Sequence, residues 1–250
     1  MWPYNIPEPF RKLSAGTLKS IALVTMLIDH AAIALLMNPV LLPAAPIYRG
    51  TRLYDLYLLY RVMRSIGRIA FPIFCFFIAE GFFHTRSRFF YAARLLLLAI
   101  ISEIPFNLAL ENGGIFDTTS RNTIFTLLFG LLSCWAFDYF RDKWYIQLPL
   151  TAGCFAAAYF LKTDYGWRGA LVIFLFYLLH DWRIPQLIAG FIAISFIGGE
   201  LPFALISLPL LMLYNGKRGR MPGVVFYAFY PVHLIVLRSI ARIAFGIPAV

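Results

Sequence analysis

The sequence predicts an all-α fold: a polytopic integral membrane bundle of about nine helices, with eight to ten as the working range. Two observations lead there. Of 250 residues, 61 % are hydrophobic and 14 % charged, with a mean hydropathy of +0.75. A soluble domain of this size cannot hide that much apolar surface. The apolar residues also fall in long runs punctuated by Pro, Gly and charge clusters, which reads as a series of spans. The whole chain, 1–250, reads as one membrane domain, without an internal repeat.

Taken in order, the apolar runs lie near 17–37, 66–83, 92–110, 123–140, 146–161, 168–180, 184–198, 201–214 and 223–246. The sixth to eighth are short for a bilayer, so they read as tilted, re-entrant or open to a different division. The stretch 38–65 is unlike the other connections. It holds Pro39, Pro43 and Pro46, then YDLYLLYRVMR, whose mixture of aromatic residues and Arg suits a helix at the membrane interface. The opening residues lack a small-residue cleavage signature, and the first run carries Lys19, Asp29 and His30, so it reads as a span and not a removable signal.

The net charge of +10 fits cytoplasmic loops and anionic lipid headgroups; no aromatic-interleaved basic patch suggests nucleic acid. With the N-terminus in the cytoplasm, the inner segments hold Arg11, Lys12, Lys19, Arg86, Arg88, Arg94, Arg141, Lys143, Arg183, Lys217, Arg218 and Arg220, while Glu111, Asp117 and Glu200 fall outside. The first long loop, with Arg49, Arg52, Arg61 and Arg64, runs against that rule. Cys75, Cys134 and Cys154 stand singly in apolar runs, without metal-ligand or disulfide spacing.

Lys19 and His30 close the two ends of one stretch in the first run, KSIALVTMLIDH. Eleven helical steps of about 100° make three turns plus roughly 20°, so both side chains share a face, about 16 Å apart along the axis. Asp29 adds a second ionisable group beside His30. Each charge at a helix centre costs roughly 2.5–3.5 kcal/mol, so the pair needs a reason. From spacing alone three remain open: locking helices together with Lys19 snorkelling, catalysis, or proton and ion movement.

Other polar groups lie at membrane depth. Glu80 is inside the second run, about three turns from Arg68, and needs a partner from another helix, with Arg94 and His30 as candidates. Pro72 is placed to kink that run. Glu103 and Asn107 end the third run in SEIPFN, Asn122 and Thr126 share a face of the fourth, and Asp164 lies in the turn KTDYGWRG. His180 and Asp181 read as a solvated bend. The last run carries Tyr230 and His233 around Pro231, with Arg238 deeper. Structural pairing, packing and interhelical hydrogen bonding are the plainer reading of each of these. There is no HExxH, no GxSxG elbow and no P-loop, which turns the search away from metal, serine-triad and ATP chemistry.

Five blocks, LKSIALVTMLIDH, GRIAFPIFCFFIAEGFFHTRSRFFYAARLLLLAIISEIPFNLA, NTIFTLLFG, DYGWRGALVI and FYAFYPVHL, resemble in order the TraX family of pilin-acetylation proteins. That family is grouped with the transmembrane acyltransferases, including the acyltransferase-3 proteins, in many of which a basic residue, ten others and a histidine lie on the first span. Lys19 and His30 are similar to that pattern. The resemblance implies a bacterial inner-membrane protein that takes acetyl-CoA from the cytoplasm and uses no metal. It acetylates an acceptor in or across the membrane, a pilin N-terminus in TraX itself. The acceptor here stays open between a protein amine, another amine and a glycan or other hydroxyl.

For that chemistry His30 is the natural general base, with Asp29 about 100° away around the helix and Glu80 or Glu103 better placed to orient it. Lys19, Arg86, Arg88 and Arg94 suit the CoA phosphates, and Arg68, Asn122 and Thr126 the thioester oxygen. Glu103, Asn107, Asp164, Tyr230 and His233 are candidates for holding the acceptor. Two other functions remain: a proton-coupled small-molecule transporter using Asp29, His30 and Glu80, and a non-catalytic assembly protein.

Overall fold

The computed structural model describes residues 10–111, 114–115, 119–195 and 201–246. Asp117 and Glu200, expected outside, lie beyond the described residues. Helix α1 (Ala15–Ala31) starts where Ser14 caps it by accepting from the Thr17 amide at 3.2 Å. It runs straight on into wide π-helical turns over Ala32–Leu41, making one 27-residue rod. Helix α2 (Arg52–Gly67), capped by Thr51, runs beside that rod and is joined to α3 (Ala70–His84) by a tight turn at Arg68 and Ile69. A helix does form inside the 38–65 stretch, and with α3 it makes a 33-residue apolar run. The break falls just before Pro72, whose missing amide is harmless in a first turn.

The remaining helices are α4 (Arg88–Leu110), α5 (Thr123–Tyr139), α6 (Trp144–Phe160), α7 (Gly166–Leu178), α8 (Arg183–Ser195), α9 (Leu201–Ala204), α10 (Ser207–Met212) and α11 (Gly223–Phe245). Ser87 and Asn122 cap α4 and α5. Among the described residues there is no strand, only two isolated bridges. Four runs are long and apolar enough to cross a membrane: Ala15–Leu41, Arg52–His84, Arg88–Leu110 and Gly223–Phe245. The helices 123–139, 166–178 and 183–195 are apolar but shorter.

Contacts between helix ends give the bundle two poles. At one pole the Ala15 and Gly16 amides bond the Lys217 and Arg218 carbonyls at 2.8 and 2.9 Å. Arg88 and Arg141 pair with Asp138, and Arg183 bonds the Leu211 carbonyl at 2.7 Å. At the other pole Asn38 bonds the Leu110 carbonyl at 3.2 Å, Arg121 bonds the Lys162 carbonyl at 2.9 Å, and Thr123 bonds Asp164. The first pole collects the basic residues expected on the cytoplasmic side. Helix α3 is the axis: nearly every residue from Ala70 to Glu80 is buried, packed against α1, α5 and α7. Around it, Leu96, Leu97, Ile100, Ile101 and Ile104 of α4 and Val232, Ile235 and Val236 of α11 are exposed. Such a face suits lipid, as in an integral membrane protein.

Candidate functional site

The side chains of α1 that share a face, from Lys19 to His30, line one cavity of about 420 Å³. It runs between α1, α3 with the turn before it, α4, α5 and α11, and joins the two poles. At the first pole it is bordered by Lys19 and Arg218. The Lys19 ammonium sits 5.0 Å from the ring centres of both Phe77 and Phe226, an aromatic seat for a cation. Arg218 belongs to the exposed loop Lys217–Arg220, which is tied to the start of α1 by the two amide bonds above. Gly219 holds φ +77° there with Ser14 Oγ against it, a conformation and a closeness that exclude a side chain.

The far end is polar. Asp29, His30, Arg64, Arg68, Thr123, Asp164, Tyr165 and Tyr230 face it from four helices, the α2–α3 turn and the loop before α7. Asp29 is ion-paired with Arg64, and Gly67 lets their helices close, since a Cβ there would overlap the Asp29 side chain. Arg68 donates to the Tyr165 hydroxyl at 3.4 Å, and the Tyr165 ring stacks on Phe71 at 3.5 Å. Asp164 is exposed at this mouth, yet the protein around it raises its pKa. The Thr123 hydroxyl and the Arg68 and Arg64 guanidiniums oppose that rise.

His30 is 8 % exposed and His233, from α11, 5 %. His30 Nδ1 lies 2.7 Å from His233 Nε2, and His233 Nδ1 lies 2.7 Å from the Phe229 carbonyl. The carbonyl only accepts, so His233 Nδ1 carries a proton, and Nε2 of the neutral ring is then an acceptor. His30 Nδ1–H must therefore donate, which leaves the lone pair on His30 Nε2. The other orienting partners expected from sequence are elsewhere. Glu80 Oε2 is 3.2 Å from His180 Nε2, beside Arg183 and Tyr214, off the cavity wall. His180 is accordingly largely sheltered and paired, while Asp181 beside it is exposed as expected. Glu103 pairs with Arg121 at 2.9 Å and accepts from the Asn122 side chain at 2.6 Å, bracing the start of α5.

Other expectations change too. Arg86 and Arg94 are exposed off the cavity, and Arg88 is committed to Asp138 and the Phe82 ring, so none borders the mouth that Lys19 and Arg218 border. Asn122 is a helix cap, Asn107 reaches the Ile115 carbonyl at 3.3 Å, and Thr126 accepts from the Tyr165 amide at 3.3 Å. All three are positioning groups outside the cavity lining. Sequence reasoning did place Lys19, Asp29, His30, Arg68, Asp164 and Tyr230 here. It missed Arg64, Thr123, Tyr165 and Arg218; the basic cluster KRGR and the turn KTDYGWRG were the only signals for the last two.

Comparison with known proteins adds a wider frame. The family described as "TraX protein" matches residues 14–241. A curated relative, "Probable fimbrial assembly protein FimC, serogroup H1" of Dichelobacter nodosus, is 29 % identical over 253 residues, covering 90 % of this chain and 95 % of its own. No solved structure matches.

Proposed function

This chain belongs to the TraX family, and from that premise we propose that it is a membrane-embedded acetyltransferase moving the acetyl group of acetyl-CoA to an amine. The fimbrial-assembly name of the relative supports a pilin-related role, and in this reading the acceptor is the N-terminal amine of a pilin-type subunit. The observation that carries this reading is His30: it lines the cavity, and a hydrogen-bond chain that ends on a backbone carbonyl occupies its Nδ1 and leaves the lone pair on Nε2. In this reading the chain lies in the bacterial inner membrane with its N-terminus in the cytoplasm, its helical legs crossing nine times, and it shares ancestry with the acyltransferase-3 proteins.

Lys19 and Arg218 attract the phosphates of the donor at the basic mouth. The axial distance from Lys19 to His30, about 16 Å, is bridged by an extended thioester arm lying in the cavity. The amine nitrogen attacks the thioester carbon, a C–N bond forms, and His30 Nε2 takes the amine proton. The C–S bond then breaks and the thiolate receives that proton, leaving an amide and free CoA. A neutral histidine orients His30 where many hydrolases use a carboxylate, so the base is mild. An α-amine of pKa about 8 needs no more, whereas a hydroxyl does. The transport reading needs Glu80 on the same route as Asp29 and His30, and Glu80 lies off it.

The test uses the full chain in nanodiscs with acetyl-CoA and a peptide bearing a free N-terminus. Thiol release coupled to acetylated peptide is expected. His30→Ala should abolish it without lowering CoA binding, and normal transfer by that variant would overturn the assignment.

A further inference from the structure

Within the acyltransferase reading, on which this inference rests, one polar group in the cavity wall is left over. Tyr230 is 4 % exposed and lies in the lining; its hydroxyl sits near the Thr123 amide and hydroxyl but makes no well-formed hydrogen bond among the described residues. Its neighbours are engaged with one another. Asp164 takes the Thr123 hydroxyl and Tyr165 takes Arg68. The Tyr230 ring stands edge-on to both imidazoles, at 6.1 Å and 76° from His30 and at 5.8 Å and 69° from His233. A buried hydroxyl without a partner costs about 1–3 kcal/mol, so a fold that keeps one beside its base keeps it for something that arrives.

We propose that Tyr230 is a catalytic residue: its O–H donates a hydrogen bond to the acetyl oxygen as attack at the carbonyl carbon makes it an oxyanion. A phenol, with an ordinary pKa of about 10, holds its proton at neutral pH and so is ready as a donor. When the amine attacks, the C=O electron pair moves onto oxygen and the Tyr230 hydroxyl holds that charge without giving up its proton. When the C–S bond breaks, the pair returns to form the amide carbonyl and the thiolate takes the proton held on His30. Base and oxyanion donor then come from one corner of the cavity: α1 supplies the first, and α11 supplies both the donor and, three residues on, the histidine that orients the base.

The experiment is Tyr230→Phe in the full chain in nanodiscs, assayed by thiol release from acetyl-CoA with the peptide acceptor, with CoA binding and thermal unfolding measured on the same sample. The ring is kept, so kcat should fall about 10²–10³-fold, the loss of one oxyanion donor, while KM for acetyl-CoA stays within about threefold. Melting should occur no lower than in the unaltered chain, because an unpaired hydroxyl has been removed. A hydroxyl that only supports the fold would give the reverse: a lower melting temperature and unchanged kcat. Either kcat within threefold or a loss confined to KM overturns the role given to Tyr230 and leaves the acyltransferase reading standing. No thiol release by the unaltered chain overturns both.

Discussion

His30 and His233 come from helices that start at the same pole and meet inside the bundle, Nδ1 of the first 2.7 Å from Nε2 of the second. The contact joins residues 203 apart in sequence, and it decides which nitrogen of His30 can take a proton. His233 is therefore a positioning residue, and its variants separate by what they can accept. In His233→Gln the side-chain oxygen can still accept from His30 Nδ1–H, so transfer should stay within about tenfold. In His233→Leu that bond is lost, and kcat should fall at least 10²-fold, within the range of a general base's contribution. CoA binding measured on both should be unchanged. Equal activity of the two variants would remove His233 from the mechanism.

The basic mouth yields a second contrast. Lys19→Met and Arg218→Ala should each raise KM for acetyl-CoA several-fold at low salt, with the effect shrinking as ionic strength rises. Arg86→Ala and Arg94→Ala, whose parent residues are exposed away from the cavity, should leave KM within twofold. A KM raised by the second pair and not by the first would move the donor site off this cavity.

Much of this site was legible because a helix is a periodic object. The Lys19–His30 spacing put both groups on one face, and the structure has that face lining the cavity. Asp29, on the same count about 100° away, reaches the cavity too, because Arg64 draws its carboxylate across the Gly67 gap. Periodicity says nothing about which helices become neighbours. Glu80 offered two partners in sequence, and the fold gave it His180, a hundred residues on. Likewise the pairing of Arg64 with a carboxylate 35 residues earlier leaves no local pattern in the charge-rich aromatic stretch before it. The Lys217–Arg220 loop became part of the mouth through backbone bonds to α1, which side-chain identity does not encode.

The placement of Glu80 is itself testable. Paired with His180 at 3.2 Å beside Arg183, it joins α3 to the loop after α7. Glu80→Gln keeps a hydrogen-bonding group but loses the charge facing Arg183. Thermal unfolding of the nanodisc-embedded chain should come several degrees lower, with kcat per folded molecule unchanged. A kcat loss at full stability would return Glu80 to the mechanism.

The last prediction concerns the ion pair in the wall at the polar end of the cavity. Arg64 and Asp29 are both largely buried, with side-chain exposures of 16 % and 12 %. Breaking a buried ion pair by removing one member typically costs about 3–5 kcal/mol, whereas neutralising both costs far less. Arg64→Met should thus unfold at a markedly lower temperature than the unaltered chain, and Arg64→Met with Asp29→Asn should recover much of the loss, a coupling that a double-mutant cycle measures directly. Gly67→Ala approaches the same pair from the backbone. Its methyl would overlap the Asp29 side chain, so α1 and α2 must separate. Because His30 follows Asp29 on α1, that separation should pull its ring from His233 and lower kcat together with stability. Retained kcat in Gly67→Ala would mean that the His30–His233 bond does not depend on how closely these two helices pack.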